Sequence, residues 1–133
     1  MKHLDDIFKY NVVAHNDVAS VYDLKHAEIY NMVEQKRLSD CVKKVVVFSR
    51  KDNPVVLDFG AGTGNLTLKF LQEGCSVVAA DISKKSLEVL KKKLKFKKRL
   101  KTKLITSKKI PFPDNYFDIT TVYSVLHHIQ DYL

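Results

Sequence analysis

The 133-residue chain has only two cysteines, Cys41 and Cys75. Two are too few for a disulfide framework, and they lack the paired spacing of a zinc site. Reduced thiols are the expectation, and no metal site is predicted. No apolar run approaches the roughly 18–20 residues a membrane span needs. The opening MKHLDDIFKY has no apolar core of a secretory signal. A cytoplasmic location is therefore expected. Tryptophan is absent, and no internal repeat of the kind that builds solenoids is visible. What is there is ordinary for a globular domain. Apolar residues make up 45% and charged residues 29%, which argues against a wholly disordered chain. The length suits one domain of roughly 100–150 residues.

The formal net charge is +8. Its distribution says more than its size. KKKLKFKKRLKTK, residues 91–103, holds nine Lys or Arg and no acid, so the remaining residues sum to −1. A nucleic-acid binder often spreads cations over a face. Here one segment supplies the whole excess.

Residues 1–50 contain neither glycine nor proline and read as helical. Apolar residues recur at spacings of three and four through Val21, Leu24, Ile29, Met32 and Val33, then Leu38, Val42, Val45 and Val46. Ser39 and Asp40 are expected to mark a break between two helices. Pro54 ends the helical pattern. VVLDF (55–59) reads as a strand and NLTLKFLQE (65–73) as a helix closed by Gly74. SVVAAD (76–81) is a second strand. Ser83 is placed to cap a helix carrying Leu87, Leu90 and Leu94. KLITS (103–107) is a third strand, IPFPDN (110–115) a turn-rich loop, YFDITTVYSV (116–125) a fourth strand, and LHHIQDYL the start of another helix. Strands alternating with helices predict an α/β fold with a parallel sheet covered on both faces.

Three of the four glycines, Gly60, Gly62 and Gly64, stand at alternate positions in VVLDFGAGTGN. Glycine is unfavourable unless the backbone needs positive φ or another group approaches closely. The spacing predicts a tight turn under a ligand, with unpaired N–H groups of the next helix facing it. Asp81 ends the second strand, 21 residues after Gly60. An acid there can accept from both hydroxyls of a ribose. A dinucleotide loop reads G-x-G-x-x-G, whereas this one reads G-x-G-x-G. Asp58, two residues before the first glycine, would sit poorly by a pyrophosphate but suits an ammonium group. That disfavours a nicotinamide dehydrogenase and favours S-adenosyl-L-methionine.

VVLDFGAGTGN, VVAADIS and IPFPDNYFDITTVYSVLHHIQD resemble three motifs of the class I S-adenosylmethionine-dependent methyltransferases, in particular the group acting on small molecules. The likeness covers residues 54–133. It implies a Rossmann-like sheet with strand order 3-2-1-4, residues 51–133 forming the cofactor domain and residues 1–50 a helical cap. HNDVASVYDLKH is similar to the family's variable cap, whose tyrosine near the position of Tyr22 closes on the ligand. The resemblance implies that Asp58 holds the methionine amino group, partly through water. Gly60, Ala61, Gly62 and Gly64 would let the backbone approach the methionine moiety. Asp81 would hold the ribose and Ile82 would pack on adenine. Where the family commonly has an acid and then a small residue before the loop proline, this chain has Thr106 and Ser107, so adenine recognition falls to Ser107 and Ile82. The family sheet has three further strands after the fourth. The chain is therefore expected to be a fragment, a truncated reading frame or a half that needs a partner, with the fourth strand open to self-association.

Methyl transfer needs in-line positioning and exclusion of water, and a general base only if the acceptor must lose a proton. The candidates are Tyr123, His127 and His128, with Asp131 of similar standing; packing is the stronger reading for them, and the resemblance also implies that Tyr123 contacts the cofactor. TVYSVLHH lacks the N-P-P-Y-type tetrad of enzymes that methylate amino groups of DNA and protein glutamine, which points to a small-molecule acceptor. The alternative is an RNA-binding or RNA-methylating protein using residues 91–103. A third reading is a module that binds cofactor without turnover.

Overall fold

The computed structural model describes residues 2–95, 98–106 and 109–125. Three helices come first: α1 (Lys2–Val18), α2 (Tyr22–Lys25) and α3 (Met32–Ser49). They are followed by β1 (Val55–Phe59), α4 (Asn65–Gln72), β2 (Ser76–Asp81), α5 (Lys84–Lys93), β3 (Leu100–Leu104) and β4 (Ile119–Val122). All strand pairs are parallel, in the order β3-β2-β1-β4. The fold is therefore the α/β Rossmann-like sheet that the motifs imply, with strands in the 3-2-1-4 order.

The two central strands are apolar on both faces because both faces are covered. On one face Val56, Val77 and Ala79 pack against Leu66 and Phe70 of α4, Leu90 of α5, and Leu38 and Val42 of α3. On the other, Leu57, Val78, Ala80 and Ile105 are covered by Phe112 and Phe117 from the loop before β4. Phe112, Tyr116 and Phe117 form an aromatic cluster with centroids 4.9–5.4 Å apart. Ser83 caps α5 as its position predicts, accepting from the Ser86 N–H. Gly74 takes φ +92° after α4 and donates to the Leu71 carbonyl.

Several sequence expectations need correction. Ser39 and Asp40 do not interrupt a helix, because α3 runs unbroken from Met32 to Ser49. Ser39 instead donates to the Gln35 carbonyl one turn back, and Lys36 pairs with Asp40. The break lies earlier, where Asn31 caps α3 by accepting from the Glu34 N–H. The apolar spacing from Val21 to Val33 is not a core stripe: Leu24, Met32 and Val33 are 80–89% exposed. Only Leu38 and Val42, with Val46 beside them, reach the core. The third strand begins three residues before its predicted start, at Leu100, because its register is set by pairing from Val77↔Leu100 to Asp81↔Leu104. Lys101 and Lys103 of the basic run therefore lie in the edge strand. The fourth strand is shorter than 116–125, since Tyr116 and Phe117 fold into the aromatic cluster and Ser124 takes φ +56°.

Candidate functional site

The site grows from the carboxyl ends of β1 and β2. Both the Gly60 and Ala61 N–H groups donate to the Ala80 carbonyl, at 2.8 and 3.0 Å. This folds the chain after β1 sharply over the end of β2. Gly60 is required there twice over: its φ is +74°, and a Cβ would meet Val125 Cγ2 at 2.1 Å. Gly64 is hemmed in by Leu90, 2.9 Å from where its Cβ would stand. Gly62 differs. Its φ is +54°, yet nothing lies within 4 Å of a Cβ built on it. Space is kept open above this one glycine.

Asp81 faces the same space. Its Oδ2 accepts from the Gly62 N–H and its Oδ1 from the Ser83 N–H, both at 2.8 Å. The carboxylate is thereby fixed at the rim of the glycine turn. Asp58, on β1 opposite Ala79 and so two positions back from Asp81 in the register, is 2% exposed and accepts at 2.6 Å from the Thr67 hydroxyl of α4. Burial pushes its carboxyl up to about 6, and the nearby charge of Asp81 adds to this, against the Thr67 bonds that pull it down. Two acids close enough to feel each other's charge, one of them bonded to an open glycine turn, favour a cationic group there. The buried side-chain nitrogen of Asn65, at the start of α4, has no hydrogen-bond partner among the described residues. An orphaned donor of this kind is a place for a ligand acceptor.

Ile82 is half-buried against the Leu57 and Val78 cluster. Thr106 is exposed. Tyr22 lies in the N-terminal segment with its ring 4.1 Å from that of His26. Burial raises the Tyr22 hydroxyl's pKa, followed by the fields of Glu28, Asp81 and Asp23. Tyr123 directly follows β4, whose Val122 pairs with Phe59 just before the glycine turn; its hydroxyl donates to Glu34 on α3, and its ring packs against the core. Ser107, His127, His128 and Asp131 lie outside the described residues.

Sequence reasoning missed several neighbours of the site. Thr67 holds Asp58 in place. Thr63 is buried inside the glycine turn and donates to Asp23 at 2.5 Å, while the Tyr30 hydroxyl lies 3.3 Å away. Asn16 accepts from the Ser83 hydroxyl. The only signal for Thr63 was its place between two glycines. Asp23, Tyr30 and Asn16 carried none, since they reach the site from remote sequence. Among the described residues no cluster could hold a metal ion and no helix is long and apolar enough to cross a membrane.

A glycine turn of this form, at the carboxyl edge of a parallel sheet in this order, is the arrangement of the class I S-adenosyl-L-methionine-dependent methyltransferases among the Rossmann-like folds. Residues 57–133 match the family model of the methyltransferase domain, and the chain belongs to that family. Its cofactor is S-adenosyl-L-methionine. Among curated relatives, the ubiquinone/menaquinone biosynthesis C-methyltransferase UbiE of Pectobacterium carotovorum is 36% identical over 85 residues, covering 59% of this chain and 34% of UbiE. The UbiE of Vibrio vulnificus is 38% identical over 82 residues, covering 57% of this chain and 32% of its own length. The chain thus spans about a third of these relatives. Among solved structures, a candidate S-adenosyl-L-methionine-dependent methyltransferase from Methanococcus maripaludis superposes with a TM-score of 0.72 at 20% identity, covering 88% of this chain and 53% of that one. The YcgJ protein of Bacillus subtilis superposes with 0.56 at 28% identity, covering 65% and 40%.

Proposed function

We propose that the chain binds S-adenosyl-L-methionine over the Gly62 turn and serves methyl transfer to a small-molecule acceptor. The observation that carries this reading is the open space above Gly62, bounded by the fixed Asp81 carboxylate and underlain by the buried Asp58. When bound, the cofactor supplies a methyl group already activated by its sulfonium. The protein's part is then binding, orientation and exclusion of water. Asp58 balances the ammonium of the methionine moiety, and the Gly60, Ala61, Gly62 and Gly64 backbone lets it approach. Asp81 holds the ribose hydroxyls, and Ile82 lies against adenine, with Thr106 and Ser107 at its edge. Tyr22 closes from the N-terminal side. In this reading residues 1–50 form a helical cap and residues 51–133 the cofactor domain, and the protein works in the cytoplasm.

The small-molecule class of acceptor is carried over from relatives named for ubiquinone and menaquinone biosynthesis. No general base is assigned. Tyr123 is committed to Glu34 and fits packing better than proton transfer. Among the described residues no strand pairs with the outer side of β4, and such an edge supports pairing with another strand, a second copy's included. RNA binding by residues 91–103 is the weaker reading. Arg99 is spent on the Gly74 and Leu71 carbonyls, and Lys93 on Asp23.

Calorimetric titration with S-adenosylhomocysteine, beside NAD and beside Asp81→Ala, tests the reading. Saturable binding of the homocysteine compound alone, lost in the variant, supports it. A folded chain that binds NAD instead, or binds neither, refutes it.

A further inference from the structure

The N-terminal segment touches the site at two points, and these flank a single hydrogen bond. The Gly62 N–H to Asp81 bond is the corner of the cofactor site. On the Asp81 side, Asn16 Oδ1 accepts from the Ser83 hydroxyl at 2.8 Å and from the Lys85 N–H at 3.2 Å. On the Gly62 side, Asp23 accepts from the Thr63 hydroxyl at 2.5 Å and pairs through its other oxygen with Lys93 of α5. The Tyr30 hydroxyl joins the same Thr63 oxygen. Between the two anchors, in sequence, stands Tyr22.

Apolar burial does not hold this segment's central turn. α2 has no buried residue, and Leu24 beside Asp23 is 86% exposed. The polar contacts at Thr63 and Lys93 therefore supply the attachment on that side. They are charge-assisted, and Thr63 is buried within the turn, so the carboxylate holds a donor that has little access to water.

We propose that Asp23 is a positioning residue that clamps residues 16–30 across the Gly62–Asp81 corner, by binding Thr63 and Lys93 together, and so keeps Tyr22 over the bound cofactor. The proposal rests on the cofactor occupying that corner. It also assigns a task to Lys93, one cation of the basic run. Asp23 touches no reacting atom in this account. Although partial burial pushes its carboxyl up, the bonds from Lys93, Thr63 and Tyr30 keep it below the ordinary range, as a clamp needs.

The test uses the full chain. Dissociation of S-adenosylhomocysteine is followed by surface plasmon resonance for the wild type, Asp23→Asn, Asp23→Ala, Lys93→Met and the Asp23→Ala/Lys93→Met double variant. Hydrogen exchange of residues 20–31 is measured without ligand. Asp23→Ala is expected to speed dissociation about tenfold, the scale of one charge-assisted hydrogen bond. Asp23→Asn and Lys93→Met fall between it and the wild type, and the double variant is no faster than Asp23→Ala. Protection of residues 20–31 falls in Asp23→Ala while that of β1 and β2 stays. Unchanged dissociation in Asp23→Ala, or independent multiplicative effects of the two sites, overturns the clamp. A wild type that binds no S-adenosylhomocysteine refutes the cofactor reading instead. In that case, unchanged protection in Asp23→Ala overturns the clamp as well.

Discussion

The buried Asp58 makes ligand affinity depend on pH in a defined direction. Its carboxyl is pushed from an ordinary 3.8 up to about 6, chiefly by burial. The value in the fold lies above that of the unfolded chain. Asp58 therefore favours the ligand-free fold fully below pH 3.8, and this contribution is lost as pH rises through about 6. At about 1.4 kcal/mol per pH unit, ionising Asp58 in the empty site costs about 3 kcal/mol of stability. An ammonium held beside it reverses that preference and drives the carboxyl to ionise. At pH 5 a carboxyl titrating near 6 is about one-tenth ionised, and at pH 7.5 nearly all of it is. Binding that requires the charged form should thus tighten about tenfold between these pH values. Calorimetry with S-adenosylhomocysteine across this range measures it. Two controls isolate Asp58. Asp58→Asn should bind weakly with no such slope, and methylthioadenosine, which lacks the ammonium, should show none on the wild type. A slope of the same size in Asp58→Asn would falsify the placement of the ammonium at Asp58.

The glycine turn separates space from strain. Gly60→Ala drives a methyl into Val125 and should destabilise the fold by about 2–5 kcal/mol in denaturant melts, combining overpacking with positive φ. Gly62→Ala meets no neighbour, so its loss should be only about 1–2 kcal/mol from φ, while S-adenosylhomocysteine binding drops at least about tenfold. Equal stability losses in the two variants would contradict the open space above Gly62. Ser83→Ala removes both the α5 cap and the Asn16 contact, and should lower stability by about 1–2 kcal/mol. Replacing Lys98, Lys101 and Lys103 with glutamine should leave S-adenosylhomocysteine affinity within about twofold at physiological salt, since all three side chains are exposed, where single charges contribute little. A large, salt-sensitive loss of RNA binding in the same triple variant would instead favour the RNA reading.

The sheet was legible because its central strands must be apolar on both faces, and VVLDF and SVVAAD advertise that without alternation. The glycine turn was legible because glycine is rare in this chain and clustered in one place. The edge strand was misplaced for the opposite reason. LKTKL is half polar, and only its pairing with β2 selects residues 100–104 over the more apolar KLITS. The N-terminal half misled in the same way. Its apolar spacing is regular, but periodicity reports which residues share a face, not whether anything covers that face. Leu24, Met32 and Val33 fit the regular spacing and remain in solvent, while Leu38 and Val42 find α4.

The polar neighbours of the site follow a further rule. Asp58, Gly62 and Asp81 were visible because they match a ligand motif in which chemistry would fix their type and the sheet fixes their spacing. Thr63, Asp23 and Asn16 were not, because their partners lie 40 or more residues away and any of several polar types would have matched the pattern. Residues that meet the ligand are constrained by its chemistry, whereas residues that meet each other are constrained only by the fold. The same distinction explains why the basic run resisted interpretation. As a sequence it is nine equivalent cations. In the structure Lys93 pairs with Asp23 beside the glycine turn, Arg99 ties the end of α4 to the start of β3, and Lys101 and Lys103 occupy an edge strand, where lysine opposes edge-to-edge pairing. Four of the nine cations thus hold different structural places, which is why neutralising one of them should not predict the effect of neutralising another.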